Sequence, residues 1–563
     1  MKATTTGMLG VALAVAVAQP SSAAAASTKR AGKAGSSPAM AGCAVLKADA
    51  FKHYIDKFNA DDEELYVNNP NALAWEFIVK NAPLLECPDK DIERTYYFRW
   101  WTYRKHIKLT PDGFVITEFL PPVPWSRKHN TICCPAGHHY YEGRWLHDTR
   151  YLDDYSVFWL RKGGAPRQYS FWIADAFYAR HLVTPNEELL AGLLDDLIKN
   201  YGEWETGHRG TEILFHQIDD RDGMECSIGG SGYRATINSY MYGLAVAIAR
   251  IATLAGRTDV AGTFEAKAKE IKDLVQTKLW DNDARFFKVL PRGENAHLVA
   301  VRELHGYTPW YFNLPDKGKG YEVAWKQLMD PKGFFAPFGP TTAEQRHPGF
   351  TISYTGHGCQ WNGPSWPFST AVTLVGLANV LNDYDQDAIS KSDYLKILKI
   401  YAQSHRRKRD DGRIVSWIDE NIDPFTGGWI ARKRCEEHNA ELVQSGKPEK
   451  VLRERGKDYN HSSFCDLVIS GLVGLRPRAD DVVEVNPLVP DGMWDWFCLD
   501  NVVYHGRALT ILWDNAGGKY GKGKGLRVFA DGVEIAHATT LTRTTGQLPR
   551  KQDNNAVVTG STM

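Results

Sequence analysis

Apolar residues recur at helical spacing through most of the chain between residues 70 and 477. Thr184-Pro185-Asn186-Glu187 has the form of a capping box with an early proline, and the Leu and Ile residues of 189–198 make one apolar face. Segments 236–255 and 264–275 repeat this pattern and predict an antiparallel helix pair. The other predicted helices lie near 72–82, 92–106, 142–161, 169–181, 303–313, 366–382, 393–404 and 462–474. The pattern therefore predicts a mainly α domain over residues 45–477.

After residue 477 the spacing of apolar residues changes, and apolar and polar residues alternate in VVEVNPLV, ALTILWD and LRVFADGVEIAH. Alternation is typical of strands, and Asp531-Gly532 is a strong two-residue hairpin signal. Residues 478–545 are therefore predicted to form a small antiparallel β-sandwich, followed by a disordered polar tail at 546–563. Within the helical part, Pro111-Asp112-Gly113 predicts one further hairpin.

The N-terminus has the pattern of an export signal. Lys2 precedes eleven apolar residues at 8–18, and small residues follow. This run is too short to span a bilayer and predicts a signal peptide over 1–26, with a flexible linker at 27–44. We therefore expect a secreted or extracytoplasmic protein without membrane insertion, because no later run approaches 18 apolar residues.

The charge balance narrows the choice of partner. Lys+Arg and Asp+Glu both number 67 in the 563 residues, which argues against a nucleic-acid-binding protein. The chain also carries 18 Trp and 25 Tyr, more than a core of this size needs. Aromatic faces stack on the C–H faces of sugars, so this surplus is compatible with a carbohydrate ligand.

Three linkers rich in Gly and Pro carry the candidate chemistry. DDRDGMECSIGGSGYR (219–234) holds Asp222 and Glu225, GHGCQWNGPSWPF (356–368) holds two tryptophans, and WIDENIDPFTGGW (417–429) holds Glu420. Long loops on a regular scaffold commonly carry function.

Several functions do not fit these linkers. An EF-hand loop starting at Asp419 would place Pro424 where glycine is needed and Ile430 where glutamate is needed. The glycines at 229–232 lack the spacing of nucleotide fingerprints, and no GxSxG is present. His138 and His139 are adjacent and would not face one metal ion, so no metal site is predicted.

Two carboxylates on separate loops suit glycoside hydrolysis, in which one protonates the leaving oxygen and the other activates water or attacks the sugar. Neighbouring tryptophans would stack on the sugar and raise the pKa of the acid by excluding water. The alternative is that Asp222, Asp419 and Asp423 cap turns and that the tryptophans belong to the core. The residue pattern alone leaves both interpretations open.

Three motifs, GMECS (223–227), QWNGPSWP (360–367) and ENIDPFTG (420–427), resemble those of the glycoside hydrolase family 63 group. That group includes mannosylglycerate-hydrolase-like enzymes and is related to trehalases and processing α-glucosidases. The resemblance implies an (α/α)6 toroid (a six-hairpin glycosidase) that acts with inversion on α-linked sugars and needs no redox cofactor.

Carried over residue by residue, the resemblance makes Glu225 the general acid and Glu420 the general base. Glu225 stands where the family has aspartate, which leaves Asp222 as an alternative acid. The residues expected to bind substrate are Trp361, Asn362 and Trp366, with Arg99, Trp100, Tyr307 and Trp310 as further candidates that could equally pack between helices. Asp419 and Asp423 are expected to hydrogen-bond backbone rather than react.

The sequence thus predicts a secreted, inverting, exo-acting α-glycosidase of the α-glucoside or α-mannoside class, with an oligosaccharide or glycoside as substrate and no cofactor. Two alternatives remain at this point. One is a phosphorylase on the same toroid, and the other is a catalytically silent carbohydrate-binding protein.

Overall fold

The computed structural model describes residues 44–550, except for residues 67, 211–212, 354–358 and 452–453. The predicted signal peptide, all but the last residue of the predicted linker, and residues 551–563 lie outside the described residues. Export therefore stays a prediction.

Helices make up the chain between residues 48 and 472, with short strands between them. The α-helices are α1 Lys52–Asp61, α2 Ala74–Asn81, α3 Lys90–His106, α4 Ala136–Gly143, α5 Arg150–Arg161, α6 Ile173–His181, α7 Glu187–His208, α8 Ala235–Leu254, α9 Thr258–Lys278, α10 Thr308–Tyr311, α11 Pro367–Asp383, α12 Lys391–Ser404 and α13 Ile430–Gln444. A 3₁₀ segment covers Tyr321–Leu328, and a π-helical segment covers Leu467–Leu472. They pack as the predicted (α/α)6 toroid.

Six elements form the inner ring, because all of them line one central cavity: α4, α6, α8, α10, α11 and Leu467–Leu472. Each inner element follows a connection from an outer one. The connections are 107–135, 162–172, 209–234, 279–307, 331–366 and 405–466. These connections meet at the N-terminal ends of the inner helices, where the backbone of Trp361 bonds to that of Glu225 and a β-bridge joins Ser365 to Ile422.

The helix starts follow local capping chemistry. Asp89 accepts hydrogen bonds from two backbone amides at the start of α3, and Ser390 with Asp393 forms a complete capping box for α12. Helix α7 was predicted to start at a capping box on Thr184. Its cap is instead Asn186, whose side chain accepts from the Leu189 N–H at 3.1 Å.

Three α-helices were not predicted from the sequence. Helix α1 lies before the first predicted helix, α4 overlaps the predicted stretch 142–161 only at its last two residues, and α13 interrupts the long last connection. Few residues of α13 are buried, namely Ala431, Arg432 and Cys435, so the helix lacks the apolar stripe on which periodicity depends. In contrast, α8 is the one helix of the described residues apolar and long enough to cross a membrane, and its burial in the toroid explains that composition.

The strands after residue 474 form two antiparallel sheets, β10-β11-β16 and β1-β12-β13-β14-β15. The strands of the molecule are β1 Leu84–Glu86, β2 Ile107–Thr110, β3 Gly113–Ile116, β4 His216–Gln217, β5 Gly232–Tyr233, β6 Trp280–Asp281, β7 Phe286–Phe287, β8 Arg406–Lys408, β9 Ile414–Ser416, β10 Leu475–Arg476, β11 Val482–Val485, β12 Trp496–Tyr504, β13 Arg507–Asp514, β14 Gly525–Ala530, β15 Val533–Ala538 and β16 Thr544–Gln547. The hairpins predicted at Asp531-Gly532 and at Asp112-Gly113 are confirmed by the β14–β15 and β2–β3 registers.

The C-terminal boundary differs from the prediction. Strand β16 pairs with β11, and Leu548 beyond it is buried and donates its backbone N–H to the Asp481 carbonyl. The expectation of disorder from residue 546 was therefore wrong for residues 546–550. The larger sheet also takes β1 from the helical part, so the two parts share a sheet.

The last inner segment is anchored by a buried carboxylate of the first inner helix. Glu142 on α4 is fully buried and accepts hydrogen bonds from the backbone N–H groups of Phe464, Cys465 and Asp466 at 2.9–3.1 Å. These amides precede the π-helical segment and would otherwise lack partners. Glu142 thus closes the ring between its first and last inner elements.

Replacing this anchor is expected to destabilise the whole domain. Glu142→Ala should lower the free energy of unfolding by about 3 kcal/mol, because three buried amides lose their acceptor. Glu142→Gln, which keeps one carbonyl acceptor, should lose less. Urea denaturation followed by circular dichroism measures this, with the exposed Glu188→Ala as the control. An equal loss of unfolding free energy in Glu142→Ala and Glu188→Ala would show that Glu142 does not anchor the segment.

Candidate active site

Glu225 lies on the connection 209–234, between two residues with left-handed backbone. Gly223 has φ +69° and Cys226 has φ +61°. A Cβ at position 223 would lie 2.5 Å from Cys134 Sγ, so the turn requires glycine. The Glu225 carbonyl oxygen accepts the Trp361 N–H at 3.0 Å. The backbone of Glu225 is therefore held against the tryptophan segment.

Asp222, the alternative acid, is committed to a structural ion pair. Its carboxylate accepts from Arg234 Nε at 2.6 Å and from Ser170 Oγ at 2.6 Å, and also from the Thr236 hydroxyl. The Asp222 and Arg234 side chains are both fully buried. Asp222 thus ties two connections to the start of α8, and both of its carboxylate oxygens are already hydrogen-bonded.

Glu420 lies on the connection 405–466 and is 3% exposed. Arg455 Nη2 is 3.2 Å from Glu420 Oε1, and Cys359 Sγ is 3.8 Å from Oε2. The backbone beside it is fixed by the bridge from Ile422 to Ser365, which ties Glu420 to the tryptophan segment. Glu420 therefore lies in the same loop cluster as Glu225, with a cation at its side.

The neighbouring aspartates shape the turn as predicted. Asp423 Oδ1 accepts from the N–H groups of Phe425 and Thr426, and Asp419 Oδ1 accepts the Glu420 N–H at 2.9 Å. A Cβ at Gly456 would lie 1.9 Å from Asp419 Oδ1, so the backbone passes directly over this carboxyl. Asp419 and Asp423 thus position the loop that carries Glu420.

The two candidate catalytic carboxyls have different electrostatic surroundings. Burial, followed by the charges of Asp220, Glu420 and Asp219, raises the pKa of Glu225 to about 8. At Glu420, Arg455 supplies a positive charge, and the attraction of Glu420 in turn raises the pKa of Arg455. Burial thus favours the protonated form of Glu225, whereas Glu420 lies beside the Arg455 guanidinium.

A third carboxyl, Glu118, was not recognised in the sequence. It lies just beyond strand β3, is 6% exposed, and accepts a hydrogen bond from the Tyr459 hydroxyl. Burial, with the charges of Glu420 and Glu225, raises the pKa of Glu118 to about 8. The signal available was a glutamate directly after the predicted hairpin in an apolar stretch, but the sequence alone does not bring it near Glu225 or Glu420.

The predicted sugar-lining tryptophans lie beside Glu225. Trp361 and Trp366 stack with ring centroids 4.6 Å apart, and Trp366 lies 6.0 Å from the His461 ring. Among the described residues, Trp361 Nε1, Asn362 Oδ1 and both ring nitrogens of His461 are buried without a hydrogen-bond partner. Buried polar atoms are normally paired, so these groups are available to a ligand or to water.

For four further candidates the sequence left substrate contact and packing between helices equally open, and in the structure all four are buried and packed. Arg99 is 1% exposed and donates to both oxygens of Ser462, so it positions the loop before the last inner segment. Trp100, Tyr307 and Trp310 are fully buried. Trp100 packs against neighbouring tyrosines, and the other two pack around Trp325.

An exposed tryptophan at the rim was also missed. Trp125 is 40% exposed, and the Arg455 guanidinium carbon lies 5.7 Å from its ring centroid. Phe119 contacts both Trp125 and Tyr459, so this rim is continuous with the pocket wall. The sequence gives no signal that separates Trp125 from the buried tryptophans.

No metal centre is evident in the part of the chain that the structure describes, since no three His, Cys, Asp or Glu side chains group around a possible ion. His139 bonds to the Asn460 carbonyl, whereas His138 packs between Trp172 and Phe368. No disulfide bond joins any of the eight cysteines within the described ranges.

An (α/α)6 toroid with two carboxyls and stacked tryptophans at its mouth defines a glycoside hydrolase. The family profile of the mannosylglycerate hydrolase MGH1-like glycoside hydrolase domain matches residues 128–462, and the C-terminal domain of glycosyl hydrolase family 65 matches residues 475–537. The chain therefore belongs to the MGH1-like glycoside hydrolases.

The chain is also similar to proteins of known structure. A protein named sialidase is 44% identical with a TM-score of 0.81, covering 91% of this chain and 45% of that protein, so the chain spans less than half of its length. A family 78 rhamnosidase of Bacillus sp. GL1 is 13% identical with a TM-score of 0.50, covering 80% of this chain and 42% of its own. The family 63 mannosylglycerate hydrolase of Thermus thermophilus, solved with glucose, is 12% identical with a TM-score of 0.38. The match covers 54% of this chain and 76% of that protein.

Opposite stability effects are expected for the two rival acids. Asp222→Asn should lower the free energy of unfolding by about 3 kcal/mol, because it leaves buried Arg234 uncompensated. Glu225→Gln should raise the melting temperature at pH 8. The folded pKa of Glu225 lies above its unfolded value of 4.5, so wild-type stability falls as the pH rises from 4.5 to about 8.

Thermal unfolding from pH 4 to pH 9 measures both effects. The Glu225→Gln and wild-type curves should converge near pH 4, where the glutamate is protonated in both states. An Asp222→Asn protein with wild-type stability and no catalysis would reverse the assignment.

Proposed function

We propose that this protein is an inverting, exo-acting hydrolase of an α-linked sugar, with Glu225 as general acid and Glu420 as general base. The observation that carries the proposal is the difference between the two carboxyls. Glu225 has a pKa of about 8 and no ion-pair partner among the described residues, so it retains a proton to donate. Glu420 is paired with Arg455 and suits the acceptance of a proton.

The proposed reaction needs no group beyond these two carboxyls and water. Glu225 transfers its proton to the glycosidic oxygen, which leaves as an alcohol. Glu420 removes a proton from a water molecule, whose oxygen bonds to the anomeric carbon on the face opposite the leaving group. The C–O bond to the leaving group breaks as the new bond forms, so an α-linkage yields a β-sugar. Exchange with solvent restores both protonation states.

The floor of the site supports exo action. His461, Phe368, His138 and Trp172 form a contiguous set of ring contacts beneath the tryptophan pair, and all four are at most 4% exposed. An oligosaccharide cannot extend through this floor, so only its terminal sugar unit fits against it. Trp125 at the rim would then lie on the side from which the rest of the substrate enters.

The sugar is proposed to be of the α-glucoside or α-mannoside class. The three relatives carry names for different sugars, a sialidase, a rhamnosidase and a mannosylglycerate hydrolase. The name sialidase belongs to a chain more than twice the length of the shared region, so that activity does not transfer on identity alone. We also propose that the protein is exported, on the N-terminal pattern of residues 1–26.

Anomer-resolved proton NMR with a panel of α-glucosides, α-mannosides and α-galactosides tests the mechanism. Wild type should release a β-sugar first, and Glu420→Gln should lower kcat by about 10²- to 10⁴-fold. Glu437→Gln, on exposed helix α13, is the matched control. Initial release of an α-sugar would refute inversion, and an active Glu420→Gln would refute its role as base.

The pH dependence tests the acid. Because only protonated Glu225 can donate, kcat/KM should fall as the pH rises through about 8. Aryl glycosides with good leaving groups need little proton donation, so Glu225→Gln should keep more activity on them and lose this alkaline limb. An unchanged alkaline limb in Glu225→Gln would assign the fall to another group.

A further inference from the structure

The central cavity inside the inner ring is separate from the candidate active site. It has a volume of about 330 Å³ and is lined by residues of all six inner elements. Helix α11 begins next to Trp366 at the mouth and lines this cavity with Asn379, twelve residues further on. At 1.5 Å per residue Asn379 lies about 18 Å along the helix from its start. None of the residues assigned to the candidate active site lines the cavity.

The lining of this cavity combines aromatic faces with polar groups. Its rings and polar side chains include Tyr141, Tyr178, Tyr242, Tyr311, Asp175, Asn313 and Arg250. The Tyr311 hydroxyl and Asn313 Oδ1 are buried without a hydrogen-bond partner among the described residues, and Tyr311 is 5% exposed. Buried polar groups without partners are rare, so this cavity is arranged for a polar occupant.

The charges of the cavity nearly balance. Arg144 is paired with Asp466 at 2.7 Å. Asp175 accepts from the Tyr141 hydroxyl at 2.8 Å through Oδ2 only, and Arg250 lies over the Tyr178 ring without an ion-pair partner in the described part of the chain. Asp175 and Arg250 are thus an acceptor and a donor of opposite charge, both with unused hydrogen-bonding capacity.

We propose that this cavity is a second binding site, for a neutral monosaccharide of hexose size. A hexose presents hydroxyl groups that both donate and accept, together with an apolar C–H face. Asp175 and Asn313 offer acceptors, Arg250 and the tyrosine hydroxyls offer donors, and the tyrosine rings offer flat apolar faces. The volume lies at the lower end of the range for small-molecule pockets. The proposal does not depend on the catalytic assignment.

Isothermal titration with D-glucose, D-mannose and D-galactose tests this site, with saturation-transfer NMR as a second readout. At least one hexose should bind wild type. Arg250→Ala and Asp175→Asn, which lie on different helices, should each weaken that binding by about tenfold or more, because each removes a charged hydrogen-bonding partner. The matched control Arg292→Ala, an exposed arginine outside the cavity, should bind as wild type does.

Two results would overturn the proposal. One is that none of the three hexoses binds, and the other is that binding is unchanged in both Arg250→Ala and Asp175→Asn. D-Glucuronate serves as the charge control, and if it alone binds, the assignment to neutral sugars is wrong. Melting temperatures within a few degrees of wild type establish that the variants are folded.

Discussion

The closure of the ring by buried polar contacts is the constraint on which the site depends. The segment before the last inner element has no strand or helix to fix it, yet Arg99, His106 and His139 each hydrogen-bond to it and Glu142 holds its end. All four belong to the first helical hairpin, α3 and α4. Because buried polar groups are costly unless paired, this arrangement allows one position for the segment. Tyr459 and His461 are thereby placed on the pocket wall.

Closure also explains why Glu225 and Glu420 have different electrostatic surroundings. The connections of the toroid converge on a region with little solvent, where any carboxyl without a cation is pushed towards its neutral form. Glu225 and Glu118 are such carboxyls, whereas the loop that carries Glu420 is followed by one that delivers Arg455. Of the three carboxyls, only Glu420 has an ion-pair partner among the described residues.

Periodicity predicted the helical domain and turn signals predicted both hairpins, because these are short-range signals, whereas the (α/α)6 arrangement came from the resemblance to a known family. The residue pattern alone left Asp222 open as an alternative acid, since its contacts with Arg234 and Ser170 depend on the tertiary structure. It also left open whether Arg99, Trp100, Tyr307 and Trp310 contact substrate or pack between helices, because aromatic and arginine side chains look alike in a core and in a sugar site. Glu118 and Trp125 were missed because only tertiary contacts bring them to the pocket.

The raised pKa values of the pocket carboxyls lower the stability of the folded state at neutral pH. Glu118 and Glu225 each have a pKa of about 8, so folding must hold protons on groups that would release them when unfolded at neutral pH. This weakens the folded state as the pH rises towards about 8. The hydrogen bonds of the ring closure offset this loss in the free energy of unfolding. They also offset the cost of the left-handed backbone at Cys226, next to Glu225. The rigidity of the first hairpin is therefore part of the catalytic design, although none of the four side chains that it contributes to the closure reacts.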